Sequence, residues 1–143
     1  MSIRGDDPYD LERFVDAQLP AYARALGELR GGEKQTHWIW YIFPQIAGLG
    51  SSPTAQRFAI KSLEEAAAYL AHDVLGARLR ECTEAVLAHE GRSANAIFGH
   101  PDDLKFKSSM TLFERAAAEP DLYARALDTF YGGERDAETL KRL

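Results

Sequence analysis

Residues 62–91 read SLEEAAAYLAHDVLGARLRECTEAVLAHEG, and this stretch decides the fold. Ser62 followed three positions later by Glu65 is a capping box. Its hydroxyl can accept a backbone N–H that the first helical turn leaves without an internal partner. The box predicts a helix running to about Ala71. Asp73 is placed to cap a second helix, which reaches about His89. In that helix Val74, Leu75, Leu79, Cys82, Val86 and Leu87 recur at the spacing of a single buried face. Gly91 closes it, because glycine adopts the left-handed terminal conformation without steric cost.

Outward from this pair the same signals repeat. Towards the N-terminus, Asp10 reads as a cap for a helix from Leu11 to about Leu19, burying Leu11, Phe14, Val15 and Gln18. Pro20 suits the first position of another helix, Ala21 to Arg30, ended by Gly31-Gly32. Ser52 and Pro53 open a short helix to about Phe58. Towards the C-terminus, Ser93 opens a short helix through Ile97 and Phe98. Pro101-Asp102-Asp103 starts a helix with acids in its first turn, where the helix dipole favours them. It should carry Leu104, Met110, Leu112 and Phe113 inward and end near Ala118. Pro120-Asp121 begins a helix to Tyr131, stopped by Gly132-Gly133, and Asp136 caps a last turn or two. The pattern predicts an all-α, compact single-domain bundle of about seven to nine short helices joined by short loops. That domain spans residues 10–143 and follows a flexible segment, residues 1–9.

The composition agrees with one domain. The chain has 143 residues, 45% of them hydrophobic and 27% charged. Those are ordinary globular values, so neither a disulfide nor a structural metal is needed to hold a core. The single cysteine, Cys82, cannot form an internal bridge, which fits a reducing cytoplasm. Met1 to Asp7 contains no apolar run, so no signal peptide is expected, and no stretch reads as a membrane span. The formal net charge of −5 argues against nucleic acid, whose phosphates demand Lys and Arg. No metal site or cofactor is expected: His-Glu-x-x-His, Cys-x-x-Cys, the Walker loop and the Gly-x-Ser-x-Gly elbow are all missing.

Three segments could carry chemistry. In residues 36–43, Trp38, Ile39, Trp40, Tyr41, Ile42 and Phe43 form a continuous apolar and aromatic run. Periodicity does not separate a buried helix capped by Thr36 and stopped by Pro44 from a strand, and the helix is preferred. His37 beside Trp38 and Trp40 can floor a pocket for a planar ligand, or simply join an aromatic core. Next, Gly48, Gly50, Ser51 and Ser52 run into a helix start, where free N–H groups and hydroxyls can cradle an anion. The plainer reading is a tight turn with Ser52 as cap. Last, Asp102, Lys105 and Ser109 share a helix face by their spacing, bordered by Ser108 and Thr111. The competing reading is a solvated face with an Asp102–Lys105 ion pair. Lys34, Arg57, Arg78 and Arg80 are further cations that could meet an anion, with helix-surface charge as their default role.

The same residues carry a resemblance. Residues 37–45 (HWIWYIFPQ) followed by residues 48–52 (GLGSS) resemble the hallmark of the domain of unknown function 1810 family. So do Glu65-Ala66 with Tyr69-Leu70, Leu75-Gly76 with Arg78-Leu79, Phe98-Gly99 with Pro101-Asp102-Asp103 and Lys105, and residues 108–113 (SSMTLF). The likeness implies a small bacterial, mainly helical protein, and it transfers no activity and no catalytic residue. A calpastatin-like label attached to such proteins conflicts with this composition, since calpastatins are disordered and this chain reads as folded. A second likeness, in size, helical content and tryptophans, is to the NADAR family of helical proteins that act on ADP-ribose derivatives.

Together these readings place a ligand site between the tryptophan segment and the later Ser/Thr-bearing helix. Its ligand is a small anionic, partly planar molecule such as a nucleotide or ADP-ribose derivative. Trp38 or Trp40 stacks on the ring, while Gln45, Gly48, Gly50, Ser51, Ser52, Lys105, Ser108, Ser109 and Thr111 complete the lining. Asp102, Asp103 and His37 are the candidates for acid–base chemistry. The alternative is a non-enzymatic domain whose helical surface docks another protein.

Overall fold

The computed structural model describes residues 7–143. Among them the chain is helical, with α1 (Glu12–Arg30), α2 (Ile39–Ile42), α3 (Pro53–Arg57), α4 (Leu63–Ala71), α5 (Leu75–Leu87), α6 (Ala94–Phe98), α7 (Asp102–Ala116), α8 (Asp121–Tyr131) and α9 (Ala137–Lys141). The nearest thing to β structure is an isolated parallel bridge between Ile46 and Ile60. There Ile60 N–H donates to Gln45 O at 2.8 Å and Ala47 N–H to Ile60 O at 2.7 Å.

The centre of the bundle is α7. Every residue from 108 to 113 is buried, so this helix has no solvent face over that stretch. It packs against α2, α4, α6, α8 and α9, while α5 packs against α1, α4 and α8. Phe43, Phe98 and Phe106 form an aromatic knot, with ring centroids 4.7 to 6.0 Å apart. This knot seats the α2 turn on α7.

Several boundaries differ from the sequence expectation, each for a local reason. Helix α1 runs through Pro20 without a break. Phe14, Gln18, Ala25 and Leu29 stay in phase on its buried side, and Pro20 is exposed opposite them. Packing on both sides therefore holds the helix across the missing N–H. Asp10 does not cap it: this residue has φ 52°. The cap comes from Asp7, whose carboxylate accepts Leu11 N–H at 2.8 Å and Glu12 N–H at 3.0 Å. Of the segment 1–9 expected to be flexible, residues 1–6 lie outside the described residues. The long buried helix expected over residues 36–43 shrinks to the single turn of α2. Thr36 is not its cap, because its hydroxyl donates to Glu28 Oε2 at 2.7 Å. The cap of α5 is His72 rather than Asp73, with Nδ1 accepting from Val74 and Leu75 at 3.1 and 3.2 Å. Val74 and Leu104, expected inward, are exposed.

Ser52, Ser62, Ser93 and Asp136 cap α3, α4, α6 and α9 as read from the sequence. Arg13 ties the α3–α4 connection down. Its guanidinium donates to Arg57 O, Ala59 O and the buried Glu65 carboxylate at 2.8 to 2.9 Å.

Candidate functional site

The cleft is made by three pieces of chain. The α2 turn and the loop from it into α3 supply Trp40, Gln45, Leu49, Gly50, Ser51 and Ser52. The first two turns of α7 supply Leu104, Lys105 and Ser108, with Pro101 just before them. The C-terminal turn adds Asp136 and Glu138. Between them lies a solvent-open hollow of about 460 Å³, within the ~300–1,000 Å³ of ordinary ligand sites.

Lys105 is the cation of this hollow. Its Nζ lies 5.1 Å from the Trp40 ring centroid and 3.6 Å from Asp102 Oδ1. The other Asp102 oxygen is 2.7 Å from Lys34 Nζ, which is itself 5.0 Å from the Trp38 ring. Two lysines and two tryptophans thus flank one aspartate. The Lys34 side chain is only 6% exposed against 27% for Lys105, so the lysine whose charge reaches solvent is Lys105. Asp102 is held between two ammonium groups, one at each of its carboxylate oxygens.

The opposite wall is acidic. Asp136 Oδ2 accepts from Thr139 N at 3.0 Å, from Thr139 Oγ1 at 2.6 Å and from Ser108 Oγ at 3.2 Å. Glu138 pairs with Lys141 and Arg142, each at 3.0 Å. Those bonds, with Lys141 foremost, hold its carboxyl below the usual range. Arg142 also reaches Gly48 O at 3.5 Å. Gly48 has φ 99°, and a Cβ there would sit 2.8 Å from Arg142 Nε. At Gly50 a Cβ would come 2.6 Å from the Ala55 Cβ. A side chain at Gly50 would collide with the cleft wall, and one at Gly48 would be strained by its positive φ and would displace Arg142.

A second, smaller hollow of about 160 Å³ opens beside the first. The two share Trp40, Gln45, Gly50 and Ala55, and Gly48 belongs to the smaller one.

Seven of the residues singled out in the sequence therefore meet around the main cleft: Trp40, Gln45, Gly50, Ser51, Ser52, Lys105 and Ser108. The others do not line it. Trp38 is 1% exposed, and its indole N–H donates to Glu28 Oε1 at 2.9 Å. His37 borders a separate hollow with Arg24, Thr36 and Tyr41. Asp103 Oδ1 accepts Leu104 N–H at 3.0 Å and faces His100. Ser109 and Thr111 are fully buried. The shared face assumed for Asp102, Lys105 and Ser109 stops at Lys105, because every residue of α7 from Ser108 to Phe113 is buried. Thr111 is satisfied inside, donating to Lys107 O and accepting from Asp136 N, each at 2.9 Å.

Asp136 and Glu138 were not legible as site residues. Asp136 reads as a helix cap, and no sequence signal says that α9 folds back onto α7. Glu28 was missed too, although its carboxylate accepts from Gln35 N, Thr36 N, Thr36 Oγ1 and Trp38 Nε1 and so fixes the start of the tryptophan segment.

Fold and cleft together define a small all-helical protein with a mixed aromatic and charged hollow beside its central helix. The chain belongs to the family described as protein of unknown function DUF1810, whose family model matches residues 8–143. It is similar to the 1.38 Å crystal structure of the conserved hypothetical protein Rv1873 from Mycobacterium tuberculosis. The two are 55% identical, with a TM-score of 0.94 over 96% of this chain and 98% of that one. No curated protein matches the chain. No helix among the described residues is long and apolar enough to cross a membrane.

Proposed function

We propose that the main cleft binds a small anionic, partly planar ligand of the nucleotide or ADP-ribose type. The observation that carries this reading is the meeting of Trp40 with Lys105, Ser51 and Ser52 around one open hollow. An aromatic side chain offers a stacking surface, and a solvent-reaching ammonium beside hydroxyls suits phosphate oxygens. Asp136 and Glu138 on the far wall can accept hydrogen bonds from ribose hydroxyls. The role is binding: the acid nearest the cation, Asp102, is committed to Lys34 and Lys105.

The protein-docking alternative has less behind it. The exposed large apolar side chains Tyr9, Leu19, Val74, Leu104 and Leu140 come from five different parts of the chain.

Thermal unfolding in the presence of ADP-ribose, AMP and inorganic phosphate tests the proposal. A ligand at 100 times its Kd adds about 2.7 kcal/mol of stability. Lys105→Ala should lose most of the shift while melting close to the parent, because a half-exposed pair and a cation–π contact are each worth only about 1 kcal/mol. No shift with any nucleotide at millimolar concentration would rule the reading out.

A further inference from the structure

We infer that the ligand is read in two parts, with a nucleobase in the smaller hollow against Gln45 and the ribose and phosphate in the larger one against Lys105. This rests on the nucleotide reading of the cleft and adds an orientation to it.

Three observations support the division. First, the two hollows lie side by side, with Trp40, Gln45, Gly50 and Ala55 in the lining of both. Gly50 stands at this boundary, where a Cβ would come 2.6 Å from the Ala55 Cβ. Second, the smaller hollow is about 160 Å³, close to a cavity of about 150 Å³ that takes up one benzene ring, against about 460 Å³ for the larger. That matches a flat ring system to the smaller hollow and leaves the larger one for sugar and phosphate.

Third, the chemistry of the two parts differs. Ile46, Ala47, Phe58 and Ala59 give the smaller hollow an apolar lining, and no acid among the described residues faces it. The backbone around Gln45 is already used, since Gln45 O and Ala47 N both bond to Ile60. Gln56 is partly used, because its Nε2 donates to Ser51 O at 2.8 Å. The Gln45 carboxamide has no hydrogen-bond partner among the described residues. Its adjacent donor and acceptor match the alternating edge of a heterocyclic base, as a glutamine pairs with the N6 and N7 atoms of adenine. Phosphate finds its counterpart in the other hollow, at Lys105 and Ser51. Among the described residues the one charged side chain of the smaller hollow is Lys61, so the reverse orientation, phosphate innermost, is the specific competitor.

Calorimetric binding of adenosine, ribose 5-phosphate and ADP-ribose to the parent protein, Gln45→Leu and Lys105→Ala separates these cases. Gln45→Leu should weaken adenosine about tenfold and leave ribose 5-phosphate unchanged. Lys105→Ala should weaken ribose 5-phosphate about tenfold and leave adenosine unchanged. ADP-ribose should lose affinity in both, and circular dichroism melts should show both variants folded. If Lys105→Ala weakens adenosine as much as ribose 5-phosphate, or if Lys61→Ala rather than Lys105→Ala removes ribose 5-phosphate binding, the two-part reading is overturned. ADP-ribose binding to the parent would then still uphold the cleft. Failure of the parent to bind any of the three would overturn both.

Discussion

Inside α7 the Ser109 hydroxyl is fully buried and makes no hydrogen bond to protein, while its neighbours Ser108 and Thr111 both donate to carbonyls four residues back. A buried hydroxyl without a partner keeps its desolvation cost and returns nothing. Ser109→Ala is therefore expected to raise stability by about 1 kcal/mol, read from the urea midpoint. A loss of stability would mean that the hydroxyl does bond, through a buried water. Glu28 presents the opposite case. Burial raises its carboxyl pKa and is the largest single influence, yet hydrogen bonds from Thr36, Gln35 and Trp38 outweigh it and bring the value from 4.5 to about 2. A carboxyl with a lowered pKa binds its proton more weakly when folded. Its contribution is thus complete above pH 4.5 and fades as the pH falls towards 2. Glu28→Gln should flatten the stability–pH curve over that acid window, measured by denaturant titration at each pH. An unchanged slope would remove Glu28 from the account.

At the scale of elements, four caps and the stops at Gly31-Gly32 and Gly132-Gly133 were readable, whereas Asp10, Thr36 and Asp73 cap nothing as read and α5 ends at Leu87, before Gly91. Ser52, Ser62, Ser93 and Asp136 each start a helix because the signal is local: one oxygen and one N–H a few residues on. Pro20 misleads for the same reason. It is a local stop signal overruled by Phe14, Gln18, Ala25 and Leu29, which pack on both sides of it. Relieving the proline should help a helix already held straight through by its partners. Pro20→Ala is expected to stabilise by about 1 to 3 kcal/mol, measured by denaturant unfolding. A drop in stability would show instead that α1 needs the bend. The tryptophan segment failed differently. Its apolar run has no periodicity, so sequence could not reveal that only Ile39–Ile42 would close into a turn, or that Trp38 and Trp40 would part company.

For the whole molecule, the architecture was legible because most of its information is helical spacing, whereas the site was legible only by half. The tryptophan segment and α7 do come together, as their mixed polar and aromatic content suggested. The third wall, Asp136 and Glu138, depends on how α9 returns to α7, a tertiary fact with no local signature. The division between Trp38 and Trp40 is the point on which the functional account turns. One is sealed in the core and bonded to Glu28, while the other faces the cleft beneath Lys105. Their two indole N–H groups are separate reporters in a heteronuclear NMR spectrum. On titration with ADP-ribose, the Trp40 resonance should move and saturate while the Trp38 resonance stays in place. A Trp40 signal unmoved at saturating ligand, or one no more perturbed than Trp38, would contradict the account.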